Sequence, residues 1–368
     1  MVASVAGAYC LTHRPDPSVA AGQQPIAATV QKAFTLDKLL AMPPDELNDV
    51  DIAEMNLLCA TGLPGAEKLD VARCLKRLDE YAKCVQYYTE QNLWDFRKRP
   101  QDFRNSEAKF RVLLLISVLQ REYSVHYNDR GERNCDFSNS KNPFIHGTID
   151  DTNGGTCASM PVMYVAVGRR LRYPMKLVLA KTHVFARWGD ANNGETFNIE
   201  GTNNFFSDHP DSYYQGWPEK ITDEELKQGW YLKPLAPAEE LAVFLHNRGN
   251  CLMDTGRFAE AKVAFSQAAR LAPQDPLGQY RIASATEAMR PVPVAPMRRV
   301  PGIGYVDEFG VPYVYPNPMG DIERINAMNQ AHRERMTQPP QPGVRPSPTP
   351  YGPPNAYGPQ PPRQPGRP

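Results

Sequence analysis

Between Asn153 and Thr202 the hydrophobic pattern changes its period, and that switch limits what the chain can fold into more than any other feature. The segment Asn153-Gly154-Gly155-Thr156-Cys157 enters a helix. Two glycines let the backbone turn tightly, Thr156 is a capping residue type, and Pro161 is tolerated in a first turn, where its missing N–H is not needed. Tyr173-Pro174 ends that helix. Met175 to Ala180 then reads as a buried strand and Thr182 to Trp188 as a second strand with alternating faces. Gly189 to Gly194 is a turn signal, and Thr196 to Thr202 is the returning strand.

Three chemistry-bearing residues fall on this frame in chain order: Cys157 in the first helical turn, His183 in the second strand and Glu200 in the third. A thiol, an imidazole and a carboxylate are the parts of a thiol acyl-transfer site. Unpaired N–H groups and the positive end of the macrodipole at a helix start favour a thiolate, and the Cys157 N–H is available as an oxyanion donor. Paired positions in a hairpin share a constant index sum. For His183 and Glu200 that sum is 383, which centres the loop between Ala191 and Asn192 and puts the two side chains on one face. A tighter turn at Asn193-Gly194 would shift this register. Asn198 shares the face and is the alternative orienter of the imidazole; Glu200 is preferred. Taken singly, a cysteine is more often a small buried hydrophobe and a glutamate near a turn a solvated charge. The joint arrangement carries the inference.

The strings Gly155-Thr156-Cys157, Leu171-Arg172-Tyr173-Pro174, Thr182-His183-Val184-Phe185-Ala186-Arg187-Trp188 and Asn198-Ile199-Glu200-Gly201-Thr202 resemble the core of the transglutaminase-like superfamily, over roughly residues 105–235. The resemblance implies a papain-like α+β fold. It also implies a cysteine-dependent protease, amidase or transamidase acting on a peptide or protein substrate, with no cofactor and no metal. Cys157 would then be the nucleophile and His183 the base. Glu200 stands where the family usually has Asp. The spacing of 26 residues from Cys157 to His183 is shorter than in the typical core. This compression resembles a bacterial branch often joined to tetratricopeptide repeats, some members of which lack the cysteine.

Residues 242–275 carry such a repeat pattern. Counting from Ala242, small residues fall at Gly249, Gly256, Ala261 and Ala268, large ones at Phe258 and Phe265, and Pro273 closes the unit. That alternation builds two antiparallel helices. One repeat cannot bury its own face, so a following helix over Leu277 to Met289 and the core are expected to flank it, making it a buttress more than a peptide-binding surface.

The 41 basic and 41 acidic side chains balance, so the chain has no electrostatic lean towards nucleic acid or an anionic membrane. No apolar run reaches the length of a membrane span. Seven cysteines without paired spacing suggest neither a disulfide framework nor a zinc site, and this favours a reducing, cytoplasmic setting. The first ten residues lack a basic n-region; export stays open if the start is mis-assigned. Cys135 and His146 would make an incomplete metal site and read, with His126, as loop or structural residues. His209 is a weak rival for the imidazole role. The aromatic segments Tyr213 to Pro218 and Gly229 to Leu232 are expected to pack on the sheet.

The expected organisation is a flexible arm over 1–35, helices over 36–104, the core over 105–235, and the repeat with its following helix over 236–290. A Pro-rich disordered tail over 291–368 completes the chain, with one helical island at Asp321 to Met336. Among the N-terminal helices, Ile52 to Cys59, Leu69 to Asn92 and Glu107 to Tyr123 are expected, with another starting at Pro43-Pro44-Asp45-Glu46. The competing reading is a non-enzymatic scaffold, in which the repeat or the Pro-rich tail recruits a protein partner.

Overall fold

The computed structural model describes residues 34–128, 136–149, 151–192, 194–202 and 206–290, and the backbone of 298–300 and 304–306. Four helices form the first part: α1 (Leu36–Ala41), α2 (Ile52–Ala60), α3 (Val71–Lys98) and α4 (Glu107–Tyr123). Each starts on a side chain that accepts from a first-turn N–H: Thr35, Asp51, Asp70 and Ser106 in turn. These are the residue types that best satisfy orphan helix donors. Pro44–Asp49 forms a 3-10 turn where a helix start was expected. The long helix α3 buries Leu78, Tyr81, Ala82, Val85 and Tyr88 along one face. It continues to Lys98, six residues past the expected Asn92, because nothing between Asn92 and Pro100 breaks a helix and Pro100 restricts only the residue before it.

The central element is α5 (Met160–Arg170), in which every residue from Met160 to Gly168 is buried. It packs on α2, α3 and α4 on one side and on a three-stranded antiparallel sheet on the other. The sheet is a meander of β1 (Met175–Ala180), β2 (His183–Gly189) and β3 (Thr196–Ile199). Ala186 faces Ile199 and Arg187 faces Asn198, so paired positions sum to 385 and not to the expected 383. The loop is thus centred one residue later. A shift of two in the partner keeps every side chain on its expected face, because strand faces alternate with period two. β3 stops at Ile199, since the Glu200 N–H leaves the ladder and donates to Ser207 O at 3.0 Å. Two short helices follow, α6 (Asp211–Gly216) and α7 (Asp223–Lys227).

The repeat is built by α8 (Pro237–Asp254) and α9 (Phe258–Leu271), with α10 (Gly278–Ala288) behind them. Gly249 is required: a Cβ there would sit 2.2 Å from the Phe265 ring. The described residues between 34 and 290 belong to one compact unit, so the repeat shares it with the sheet. Arg248 of α8 donates to Cys59 O and Thr61 O at 2.9 and 2.8 Å, capping the C-terminal end of α2. Arg169 of α5 makes a bidentate pair with the fully buried Glu240 of α8, at 2.9 and 2.5 Å. The backbone described beyond residue 291 belongs to a second unit. Within that Pro-rich stretch, β4 (Arg298–Val300) and β5 (Gly304–Val306) pair as an antiparallel hairpin, which was not expected. The helical island at 321–336 and nearly all of the N-terminal arm lie outside the described residues.

Removing one member of a buried pair leaves the other charge uncompensated. Arg169→Ala is therefore expected to lower unfolding free energy by about 3 kcal/mol, as measured by urea denaturation. A loss below about 1 kcal/mol, the size of an exposed pair, would mean that Glu240 finds other partners.

Candidate active site

Cys157 lies in a turn three residues ahead of the regular helix and not in its first turn, a correction to the sequence expectation. The turn is nevertheless helical in its bonding: Thr156 O accepts from Ser159 N at 3.1 Å and Met160 N at 2.9 Å, and Thr156 Oγ1 accepts from Ala158 N at 3.2 Å. Thr156 thus caps as expected, one turn early. Its hydroxyl and that of Ser159 both donate to Asn142 O, at 2.9 and 3.0 Å, which pins the turn to the preceding loop. Gly155 precedes it because a Cβ there would meet Met160 at 2.6 Å. Its backbone pairs with the strand-like 126–128 segment through Gly155 N to His126 O and Asn128 N to Gly155 O. Cys157 is half-buried and its N–H has no backbone acceptor among the described residues.

His183 opens β2 opposite Ala180, across a two-residue loop in which Thr182 takes a left-handed φ of 64°. Its Nε2 lies 3.0 Å from Glu200 Oε2, and the Cys157 thiol is near enough to the ring to raise its pKa. Under the observed register the two residues are diagonal neighbours, and the long glutamate side chain spans the extra distance. Glu200 accepts four hydrogen bonds. Oε2 takes His183 and the Tyr214 hydroxyl at 2.9 Å; Oε1 takes Thr202 N at 3.0 Å and Thr202 Oγ1 at 2.9 Å.

Burial alone would push the His183 imidazole down and the Glu200 carboxyl up. Hydrogen bonds with Cys157 and Glu200, and their charges, outweigh this for His183 and raise it to about 9. The His183 and Thr202 donors outweigh it for Glu200 and hold it at about 2. Tyr214 is raised by burial and by the adjacent carboxylate, so it stays a donor.

An aromatic wall closes the site. Trp217 meets the His183 ring edge-on at 4.8 Å, and Tyr214 stacks on Phe185 at 3.9 Å. Tyr214 is buried against the sheet as expected, whereas Tyr213 and Trp217 are exposed. His209 stacks on Tyr213 at 4.3 Å. Asn198 is placed elsewhere: it accepts from Arg187 Nε at 2.7 Å and donates to His209 O and Asp211 Oδ1, both at 2.8 Å. The carboxylate on the imidazole is therefore Glu200. Sequence reading missed Thr202 and Tyr214. Thr202, two residues beyond Glu200, carried a local signal, because a hydroxyl at that spacing can close back on its neighbour; Tyr214, fourteen residues on, carried none.

His146 is buried in a 3-10 turn, lies 3.2 Å from Ser140 Oγ, and is lowered to about 4 by burial. Cys135 lies outside the described residues, and among the described residues no cluster of His, Cys, Asp or Glu is placed to hold a metal. No described helix is long and apolar enough to cross a membrane. A family model of the tetratricopeptide repeat matches residues 242–275, so this segment is a tetratricopeptide repeat, a class that mediates protein–protein interaction. No curated protein and no solved structure matches the chain.

The pair has a defined effect on stability. His183, raised from 6.5 to about 9, contributes stability that is full below pH 6.5 and lost as pH rises through about 9. Glu200, lowered from 4.5 to about 2, contributes stability that is full above pH 4.5 and lost as pH falls through about 2. The difference in melting temperature between the parent and Glu200→Gln should thus be largest between pH 4.5 and 6.5 and shrink towards pH 9. A difference that stays constant to pH 9 would contradict the ionic pairing.

Proposed function

We propose that the chain is a cysteine-dependent acyl-transfer enzyme of the transglutaminase-like kind, with a papain-like core, acting on peptide-like amides. The observation that supports this most is the contiguity of a half-exposed thiol, a buried imidazole and a saturated buried carboxylate, delivered by three separate segments. With His183 already protonated at its raised pKa, Cys157 Sγ adds as the thiolate to the amide carbonyl. The C–N bond then breaks as the imidazolium gives its proton to the leaving amine, and a thioester remains. Water or an amine adds next, giving its proton to His183, and the C–S bond breaks to restore the thiolate beside the protonated imidazole. The Cys157 N–H faces the developing oxyanion. Glu200 remains ionised throughout, orienting the ring and stabilising the imidazolium.

A second reading, a protein-binding scaffold, has an observation of its own. Val263, Leu277, Tyr280 and Met289 on and beside α9 and α10 are large apolar side chains left 58%, 41%, 70% and 40% exposed. Val263 lies in the repeat and the other three follow it, and exposed apolar side chains of this kind suit a partner.

Native-state iodoacetamide labelling with peptide mapping separates the two. Cys157 should label faster than Cys74 and Cys84, which share its intermediate exposure, and His183→Ala should slow it at least tenfold, on the order expected when a facing base is lost. On fluorogenic peptide or amine-acceptor substrates, Glu200→Gln should lower turnover on the order of 10³–10⁴-fold with folding intact. Tyr214→Phe, which removes one of four donors to the carboxylate, should lower it about tenfold. Labelling of Cys157 no faster than of Cys74, with no turnover across amides and esters, would favour the scaffold.

A further inference from the structure

Arg187 stands on β2 two residues beyond Phe185 and four beyond His183, so the three side chains share one face of the sheet. Its guanidinium is buried, a costly placement unless its charge and its N–H groups are met. All three nitrogens are committed, each to a different segment. Nε donates to Asn198 Oδ1 on β3 at 2.7 Å, Nη1 to Leu232 O at 3.1 Å, and Nη2 to Asp211 Oδ1 at the start of α6. The same Asp211 oxygen accepts from Asn198 Nδ2 at 2.8 Å. An apolar side chain at 187 would satisfy the sheet, so packing alone does not account for the arginine.

The element that needs it is α6. Six residues are too few for a helix to hold itself, its N-cap Pro210 makes no side-chain bond, and Tyr214 is the one residue it buries. Asp211 and Tyr214 stand three residues apart, on one face of the helix. Each is tied to the sheet at a polar point: Asp211 to Arg187 and Asn198, and Tyr214 to Glu200 at 2.9 Å. Two ties fix a short helix in place and in rotation where one would let it pivot. Trp217, the residue after α6, then meets the His183 ring edge-on. Behind this row Arg187 lies over the Phe185 ring, 5.8 Å from its centroid, and Phe185 stacks on Tyr214. An acid in a first helical turn also suits the macrodipole, but that alone would not bring Asp211 to a buried guanidinium.

We infer that Arg187 and Asp211 are positioning residues for the catalytic imidazole: the latch between them seats α6, and α6 carries the Tyr214 hydroxyl to Glu200 and brings Trp217 to His183. Cys157, Glu200 and Tyr214 are titratable side chains ranged about His183. With α6 seated, the His183 Nε2–H bond to Glu200 is kept from water; with α6 released, it opens to exchange. The effect of the latch on turnover rests on the acyl-transfer reading, and its effect on the imidazole does not.

A protected Nε2 proton should give a downfield imidazole N–H resonance in the full chain, assigned by its loss in His183→Gln. Asp211→Ala changes a side chain that is 51% exposed, so the chain is expected to stay folded while this proton exchanges about tenfold faster or more and its resonance broadens away. Asp211→Asn keeps an acceptor oxygen in place and should keep the resonance. Arg187→Lys keeps the charge without the fork and should lose it; if that variant does not fold, the two Asp211 variants decide. On an amide substrate Asp211→Ala should lower kcat about tenfold, and adding Tyr214→Phe should lower it no further, since both changes break the bond from Tyr214 to Glu200. A resonance absent from the parent, or unchanged in Asp211→Ala, or losses that multiply to about a hundredfold in the double variant, would overturn the latch. A parent that shows the resonance and its loss in Asp211→Ala, yet has an inert Cys157, would support the latch and overturn the acyl-transfer reading.

Discussion

A carboxylate as buried as Glu200 costs several kcal/mol to take out of water unless its charge and its lone pairs are met, and the local chain path is arranged around meeting them. Four donors from three segments reach its two oxygens: the imidazole at the start of β2, the backbone and hydroxyl of Thr202, and the phenol of Tyr214 on α6. Each donor fixes the element that carries it. The chain leaves β3 at Glu200, turns back over Thr202 and returns through α6 so that Tyr214 can seat between Phe185 and the carboxylate. A fully satisfied polar network of this kind rigidifies its surroundings, whereas a half-satisfied one would be worse than an apolar core.

The thiol is positioned by a different device. Cys157 stands on a turn held by the Asn142 carbonyl and stacked on α5, and α5 is buried on all sides. That helix is in turn tied to the repeat through Arg169 and Glu240, while Arg248 ties the repeat to the end of α2. The tetratricopeptide segment thus belongs structurally to the unit that holds the cysteine. Its polar ties are directed inwards at α8, and its exposed apolar residues lie on and beside α9 and α10.

The parts legible in the sequence were those fixed by local rules. α4 spans Glu107 to Tyr123 as expected, and β1 the residues expected between Pro174 and the next turn. The repeat followed from its small and large alternation, with Gly249 under Phe265 as the contact that requires it. Where several residue types compete, the outcome was less legible. Asn192 and Gly194 both suit a turn, and the hairpin centre moved by one residue. The His183 and Glu200 pair survived this because faces repeat every two residues and glutamate is long enough to bridge a diagonal. Asn198 shared the face but lies beside Arg187 and Asp211, a neighbourhood set by register and by the return of α6. The contact of Tyr214 with Glu200 depends on long-range packing, for which no short sequence pattern exists.

The central claim is electrostatic: in a site dry enough to favour neutral imidazole, Glu200 and Cys157 hold His183 protonated. Nitrogen-15 imidazole resonances of selectively labelled histidine, followed by NMR across pH and assigned through His183→Gln, read that proton directly. His183 is expected to titrate near 9, with Nε2 protonated throughout, and to fall by more than one pH unit in Glu200→Gln. Titration at or below 6.5 in the parent, unchanged in Glu200→Gln, would mean that burial wins and that the carboxylate does not hold the charge.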